Sequence, residues 1–147
     1  MIVLIVLFGS LLLFRGIGFL GVNAFATWQH ATAYALATMF LFAGVAHFIN
    51  KTKHELARMV PTIFPRAMPM VYFTGVLELA GGVGLIIPRF RYPASLCLIL
   101  LMLILFPANI KAAREKLTLG GKPATQLWLR APMQIVFIAL LWWAKGR

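Results

Sequence analysis

Cysteine is nearly absent from this sequence. Cys97 is the single example and lies in an apolar run, which excludes an intramolecular disulfide, a CxxC redox pair and a thiolate metal cluster within one chain. Redox chemistry would therefore need a borrowed cofactor or a partner protein. Histidine is scarce too: of three, His47 alone is expected inside the helices, so a bis-histidine haem lacks its second ligand. No intrinsic cofactor, metal set or catalytic residue is expected, and a self-sufficient oxidoreductase is the weakest reading. At most the chain is a membrane subunit of such an enzyme. Convincing internal repeats are missing as well, so a transport path would require several copies of the chain.

Charge is the next shortage. Charged residues make up 12% of the chain, against roughly 25% in an ordinary soluble domain. With 62% hydrophobic residues and a mean hydropathy of +0.91, the composition is that of a membrane protein. Its 147 residues leave room for about five spanning helices with short loops, and none for a separate soluble domain. Acidic side chains number three against 14 Lys and Arg, and a net charge of +11 invites a nucleic-acid reading. The cations sit mostly between apolar runs, where they mark the membrane edge and set orientation. No nucleic-acid partner is therefore expected.

The apolar runs give the order of elements. Met1 to about Val22 is nearly continuous hydrocarbon, interrupted by Arg15. A secretory signal competes for this stretch because Ala24-Phe25-Ala26 mimics a cleavage site, but no cation precedes the apolar core and an arginine splits it, so a retained first helix is expected. Ala31 to Ile49 reads as a second helix ending in His47, and Lys51 to Arg58 as a short helix on the membrane surface. Pro61, Pro65 and Pro69 then forbid a continuous helix before Met70. A third spanning helix follows to Ile87, a tight basic turn at Pro88-Arg89-Phe90-Arg91-Tyr92-Pro93, and a fourth span from Ala94 that Phe106-Pro107-Ala108-Asn109 should end. Ile110 to Leu119 reads as an amphipathic surface continuation, Gly120-Gly121-Lys122-Pro123 as a loop, and Thr125 to Ala144 as the fifth span. Trp142, Trp143, Lys145 and Arg147 form an aromatic and basic anchor at its far end.

Within the third span Glu78 is an ionisable group at mid-membrane depth, which marks a functional site until a partner explains it. Gly75, Glu78 and Gly82 share one stripe, and Ala80 with Gly84 adds a small-residue pair that lets another helix approach. Threading five spans puts eight cations (Lys51, Lys53, Arg58, Arg66, Lys111, Arg114, Lys116, Lys122) on one side and four (Arg89, Arg91, Lys145, Arg147) on the other. The richer side is expected to be cytoplasmic. At 1.5 Å per residue, Glu78 and Gln134 lie about 12 Å below that surface, Arg130 about 6 Å and His47 about 3 Å, with Asn109 at the rim. Lipid cannot satisfy these groups, so they should face inward. Two readings stay open. One is a structural ion pair between Glu78 and Arg130, with Arg15 as another candidate partner for the carboxylate. The other is a ligand or partner pocket formed by His47, Tyr72, Glu78, Asn109, Arg130 and Gln134.

Several separated motifs also occur in a familiar order: Phe42-Ala43-Gly44-Val45-Ala46-His47-Phe48, Met59-Val60-Pro61, Tyr72 to Pro88, Phe106-Pro107-Ala108-Asn109 and Leu127-Trp128-Leu129-Arg130-Ala131-Pro132-Met133-Gln134. Together they resemble the signatures of DoxX-like membrane proteins, over roughly Leu36 to Trp143. The resemblance implies an all-α polytopic bundle, a single transmembrane domain with a four-helix core at 31–144 and an additional N-terminal helix at 1–27. It also implies that His47, Glu78, Asn109, Arg130 and Gln134 occupy the recurrent polar positions. Members are similar to the small membrane subunit of thiosulfate:quinone oxidoreductase, to subunits associated with thiol and oxidative-stress enzymes, and distantly to an animal receptor-assembly factor. The expected function is a non-catalytic subunit of the bacterial cytoplasmic (inner) membrane that binds a quinone-like or lipid-like ligand or a redox partner. The alternative is an assembly factor or chaperone that contacts transmembrane helices of a partner. The lipid bilayer and a second copy of the chain are the other partners considered.

Overall fold

The computed structural model describes residues 2–119, 122–123 and 126–146. Met1, Gly120, Gly121, Thr125 and Arg147, which enter the sequence reading, lie outside the described residues. Six α-helices account for nearly all the described chain: α1 (Ile2–Phe19), α2 (Trp28–Ala46), α3 (Asn50–Met59), α4 (Ala67–Ile86), α5 (Pro88–Arg114) and α6 (Leu127–Ala144). A 3-10 turn at Asn23–Phe25 and a two-residue antiparallel ladder, β1 (Thr118–Leu119) with β2 (Lys122–Pro123), complete the described elements.

Helices α1, α4, α5 and α6 are each long and apolar enough to cross a membrane, and α2 with α3 makes a fifth candidate crossing if that pair, bent by 93°, is one span. The outward surface fits lipid and not water: Ile5, Leu12, Leu100, Ile104, Trp128 and Ile135 are all exposed. Helix α2 is less apolar for a structural reason. It packs against α1, α4 and α6, so its alanines and Thr32 meet other helices rather than lipid. Thr27 starts it, its side chain accepting a hydrogen bond from the backbone amide of His30.

Four helices close into a ring, α2 on α4, α4 on α5, α5 on α6 and α6 back on α2, while α1 lies outside it along α2 and buries Leu7. Helix α4 is inserted between its neighbours by glycine on two faces. Gly75 and Gly82 meet α2, at His47 and at Leu41, whereas Gly81 and Gly84 meet α5, at Leu98 and Ala94. The short α3 turns away from the bundle axis and packs across the ends of α4 and α5.

Two expectations from proline are corrected. The segment from Pro88 to Pro93 is not a turn but the opening of α5, with Pro88 in the first helical turn where no amide donor is required. Nor does the helix stop at Phe106 to Asn109. It runs through Pro93 and Pro107 as one 27-residue element to Arg114, taking in the first part of the amphipathic continuation expected at Ile110 to Leu119. A proline removes one backbone bond, whereas ending a helix against hydrocarbon would strand several donors and acceptors, so continuation costs less. Pro61 and Pro65 behave as expected, in a non-helical connection, and Pro69 falls in the first turn of α4.

Candidate functional site

The polar residues assemble into three groups. In the first, the turn at the end of α2 directs His47 at α4, where the missing side chain of Gly75 leaves room for it. Imidazole Nδ1 lies 2.8 Å from the carbonyl oxygen of Val71 and 3.3 Å from Thr74 Oγ1. A carbonyl only accepts, so Nδ1 carries a proton and Nε2 is the nitrogen left to face Glu78. Nε2 and Glu78 Oε2 are 3.4 Å apart, a distance within ion-pair range. The contact lacks the geometry of a hydrogen bond, and Glu78 Oε2 is a buried oxygen with no hydrogen-bond partner. One mobile proton can reside on either member of this pair. Both the ion pair and the neutral pair then carry no net charge.

The second group joins α5 to α6. Arg130 Nη1 donates to Asn109 Oδ1 at 2.8 Å, Asn109 Nδ2 donates to Gln134 Oε1 at 3.4 Å, and Gln134 Nε2 donates to the Met102 carbonyl at 2.7 Å. Gln134 is buried. Its spacing of four from Arg130 puts both on the face of α6 that meets α5. In the third group Tyr72 accepts a hydrogen bond from Lys53 Nζ at 3.0 Å and leans on Phe48, tying α3 to α4.

The structure therefore brings His47 to Glu78 and joins Arg130, Asn109 and Gln134, but the ion pair is not the expected one. Glu78 is paired with His47 and not with Arg130, because glycine on α4 admits α2 on the side where the carboxylate points. Arg15 is no partner for it either. Its guanidinium lies over the Phe19 ring and points Nη1 at the Phe25 carbonyl, 3.5 Å away, at the other end of the bundle. Tyr72 stands apart from the buried groups, with Lys53 at its hydroxyl.

Sequence reading missed Thr74, Arg91 and Ser95. Thr74 sits one turn before Glu78 on the same face and donates to the Met70 and Val71 carbonyls, a placement that the four-residue spacing could have revealed. Arg91 and Ser95 were hidden by assigning their segment to a turn and a lipid-facing start. Among the described residues no three His, Cys, Asp or Glu side chains come together as metal ligands. An apolar cleft of about 360 Å³ opens between α4 and α5, lined by Leu77, Ala80, Gly81, Cys97, Leu100, Leu101 and Ile104, and none of the expected site residues lines it.

The model of one family, described as a domain of unknown function (DUF8561), matches residues 36–145, well over half of the chain. The matched region includes all three polar groups described above and leaves out α1 and the start of α2. No curated protein and no solved structure matches the chain.

Proposed function

We propose, for a chain that belongs to the family described as a domain of unknown function (DUF8561), a role as a non-catalytic membrane subunit that holds a quinone-like or lipid-like molecule, or docks a redox partner, through the polar groups of one half of its bundle. The observation that carries this reading is the sealed Glu78 Oε2, unpartnered in hydrogen bonding beside an imidazole with a free second nitrogen. A structural pair would be expected to use every polar atom, since an unsatisfied buried oxygen costs about 1–3 kcal/mol. A carbonyl or hydroxyl group brought between α2 and α4 would give that carboxyl a partner. The closed ring of α2, α4, α5 and α6 with α1 outside it supports, within this proposal, a DoxX-like arrangement, and the proposal includes a bacterial cytoplasmic membrane as its location.

The test is quinone binding to the purified, delipidated chain, followed through the tryptophan fluorescence. Glu78→Gln should weaken binding about tenfold, a change of ~1.4 kcal/mol. A sample that binds no quinone, or binds it equally well as the Glu78→Gln variant, would remove the proposal.

The α4–α5 cleft supports the alternative, an assembly factor that receives a partner's transmembrane helix. Its small wall residues Ala80 and Gly81 suit close helix approach, and exposed Cys97 provides a natural crosslinking position there. Crosslinking from Cys97 in membranes should then capture one defined polypeptide, whereas lipid adducts alone would count against it.

A further inference from the structure

The end of the bundle away from Glu78 contains a buried cation with no counter-charge. Arg91, in the opening turns of α5, is 8% exposed. Its Nε donates to the Leu85 carbonyl at 3.0 Å, capping the last turn of α4, and its guanidinium carbon lies 5.8 Å from the centre of the Tyr34 ring. Among the described residues neither Nη has a hydrogen-bond partner. One turn further along the same face, Ser95 is fully buried, and its hydroxyl also lacks a partner.

This chain cannot neutralise Arg91 with its own side chains. Its three carboxylate side chains are Glu55 in α3, Glu115 at the far end of α5 and Glu78 paired with His47. Glu115 lies about 36 Å along the helix from Arg91 at 1.5 Å per residue, and Glu78 about 10 Å before Leu85 on α4. Tyr34 meanwhile meets Phe25 edge-to-face, with ring centres 4.9 Å apart, and it is the Phe25 carbonyl that Arg15 approaches. Arg15 Nε is a third buried polar atom without a partner. Two guanidinium groups thus flank one aromatic cluster with donors to spare. A guanidinium held in so apolar a setting without a counter-charge favours the binding of an anion.

We propose that Arg91, with Ser95 and the positive end of the α5 helix dipole, forms a site for a phosphate oxyanion, and that Arg15 adds to its field. The fork of N–H donors on a guanidinium matches two phosphate oxygens, and Ser95 offers a third donor. Ile86, Ile87 and Phe90, between Leu85 and Arg91 in the chain, are exposed apolar side chains suited to acyl chains, which favours the headgroup of an anionic phospholipid as the source. The site is separate from the His47 and Glu78 pair and does not rest on the function proposed for it.

Native mass spectrometry of the detergent-solubilised full chain, offered phosphatidylglycerol and phosphatidylcholine in equal amounts, tests this directly. The expected result is about a tenfold preference for the anionic lipid, falling to parity in Arg91→Gln. Arg89→Gln, at the exposed neighbouring cation, should keep the preference. Because Arg91 also caps α4 and its replacement could prevent folding, Ser95→Ala provides a second reading: it removes a hydroxyl that makes no hydrogen bond in the fold, yet should lower the preference several-fold. A parallel arm measures the rise in melting temperature with inorganic phosphate alone. A rise that Arg91→Gln abolishes, without lipid preference, keeps the oxyanion site and assigns it to a free anion. Equal retention of both lipids with no phosphate effect overturns the site. So does a preference that Arg89→Gln removes as fully as Arg91→Gln, or one that survives both Arg91→Gln and Ser95→Ala.

Discussion

A β-carbon added to Gly75 would stand 2.5 Å from the β-carbon of His47. The imidazole reaches Glu78 only because α4 presents no side chain at that point, so this glycine belongs to the site as much as to the packing. Gly75→Ala should push His47 away and destabilise the bundle by about 1–3 kcal/mol. Gly9→Ala in α1 is the control, since nothing lies within 4 Å of a β-carbon added there. Thermal unfolding in detergent should rank the Gly75 variant well below the Gly9 variant. Equal stability would mean that the close approach of α2 to α4 does not fix His47.

The approach of His47 to Glu78 should appear as an energetic coupling. A double-mutant cycle with His47→Gln and Glu78→Gln is expected to give about 0.5–3 kcal/mol of interaction. Each change keeps a side chain of similar size in the α2–α4 contact. Strict additivity in denaturant unfolding would show that the 3.4 Å approach carries no interaction.

Cys97 gives a chemical test of what surrounds α5. It is exposed and lines the apolar cleft against α4, so in intact membranes, where hydrocarbon withholds the thiolate that maleimide needs, a charged maleimide should not label it. After unfolding in denaturant the same reagent should react. Rapid labelling by the charged reagent in membranes would place this face in water and undo the assignment of α4 and α5 as spans.

Much of the fold was legible in the chain because hydrocarbon imposes simple arithmetic. Apolar runs of the required length gave the helices, and Pro61 and Pro65 gave the break before α4. The eight-residue offsets of Glu78 from Met70 and of Gln134 from Gln126 assign both one depth, whereas the contacts of His47 with Glu78 and of Asn109 with Gln134 join groups to which the same arithmetic gives different depths. The prolines of α5 misled because sequence rules weigh a lost hydrogen bond against water. Here the competing state was a severed helix in lipid.

Depth along a helix is set by 1.5 Å per residue and is therefore written in the sequence. Direction around the helix acquires meaning only when neighbours are chosen, and packing makes that choice. Glycines on two faces of α4 admitted α2 on one side and α5 on the other, which gave Glu78 to His47 and left Arg130 to Asn109. The same packing closed Arg91 against the end of α4, where among the described residues no carboxylate side chain meets it.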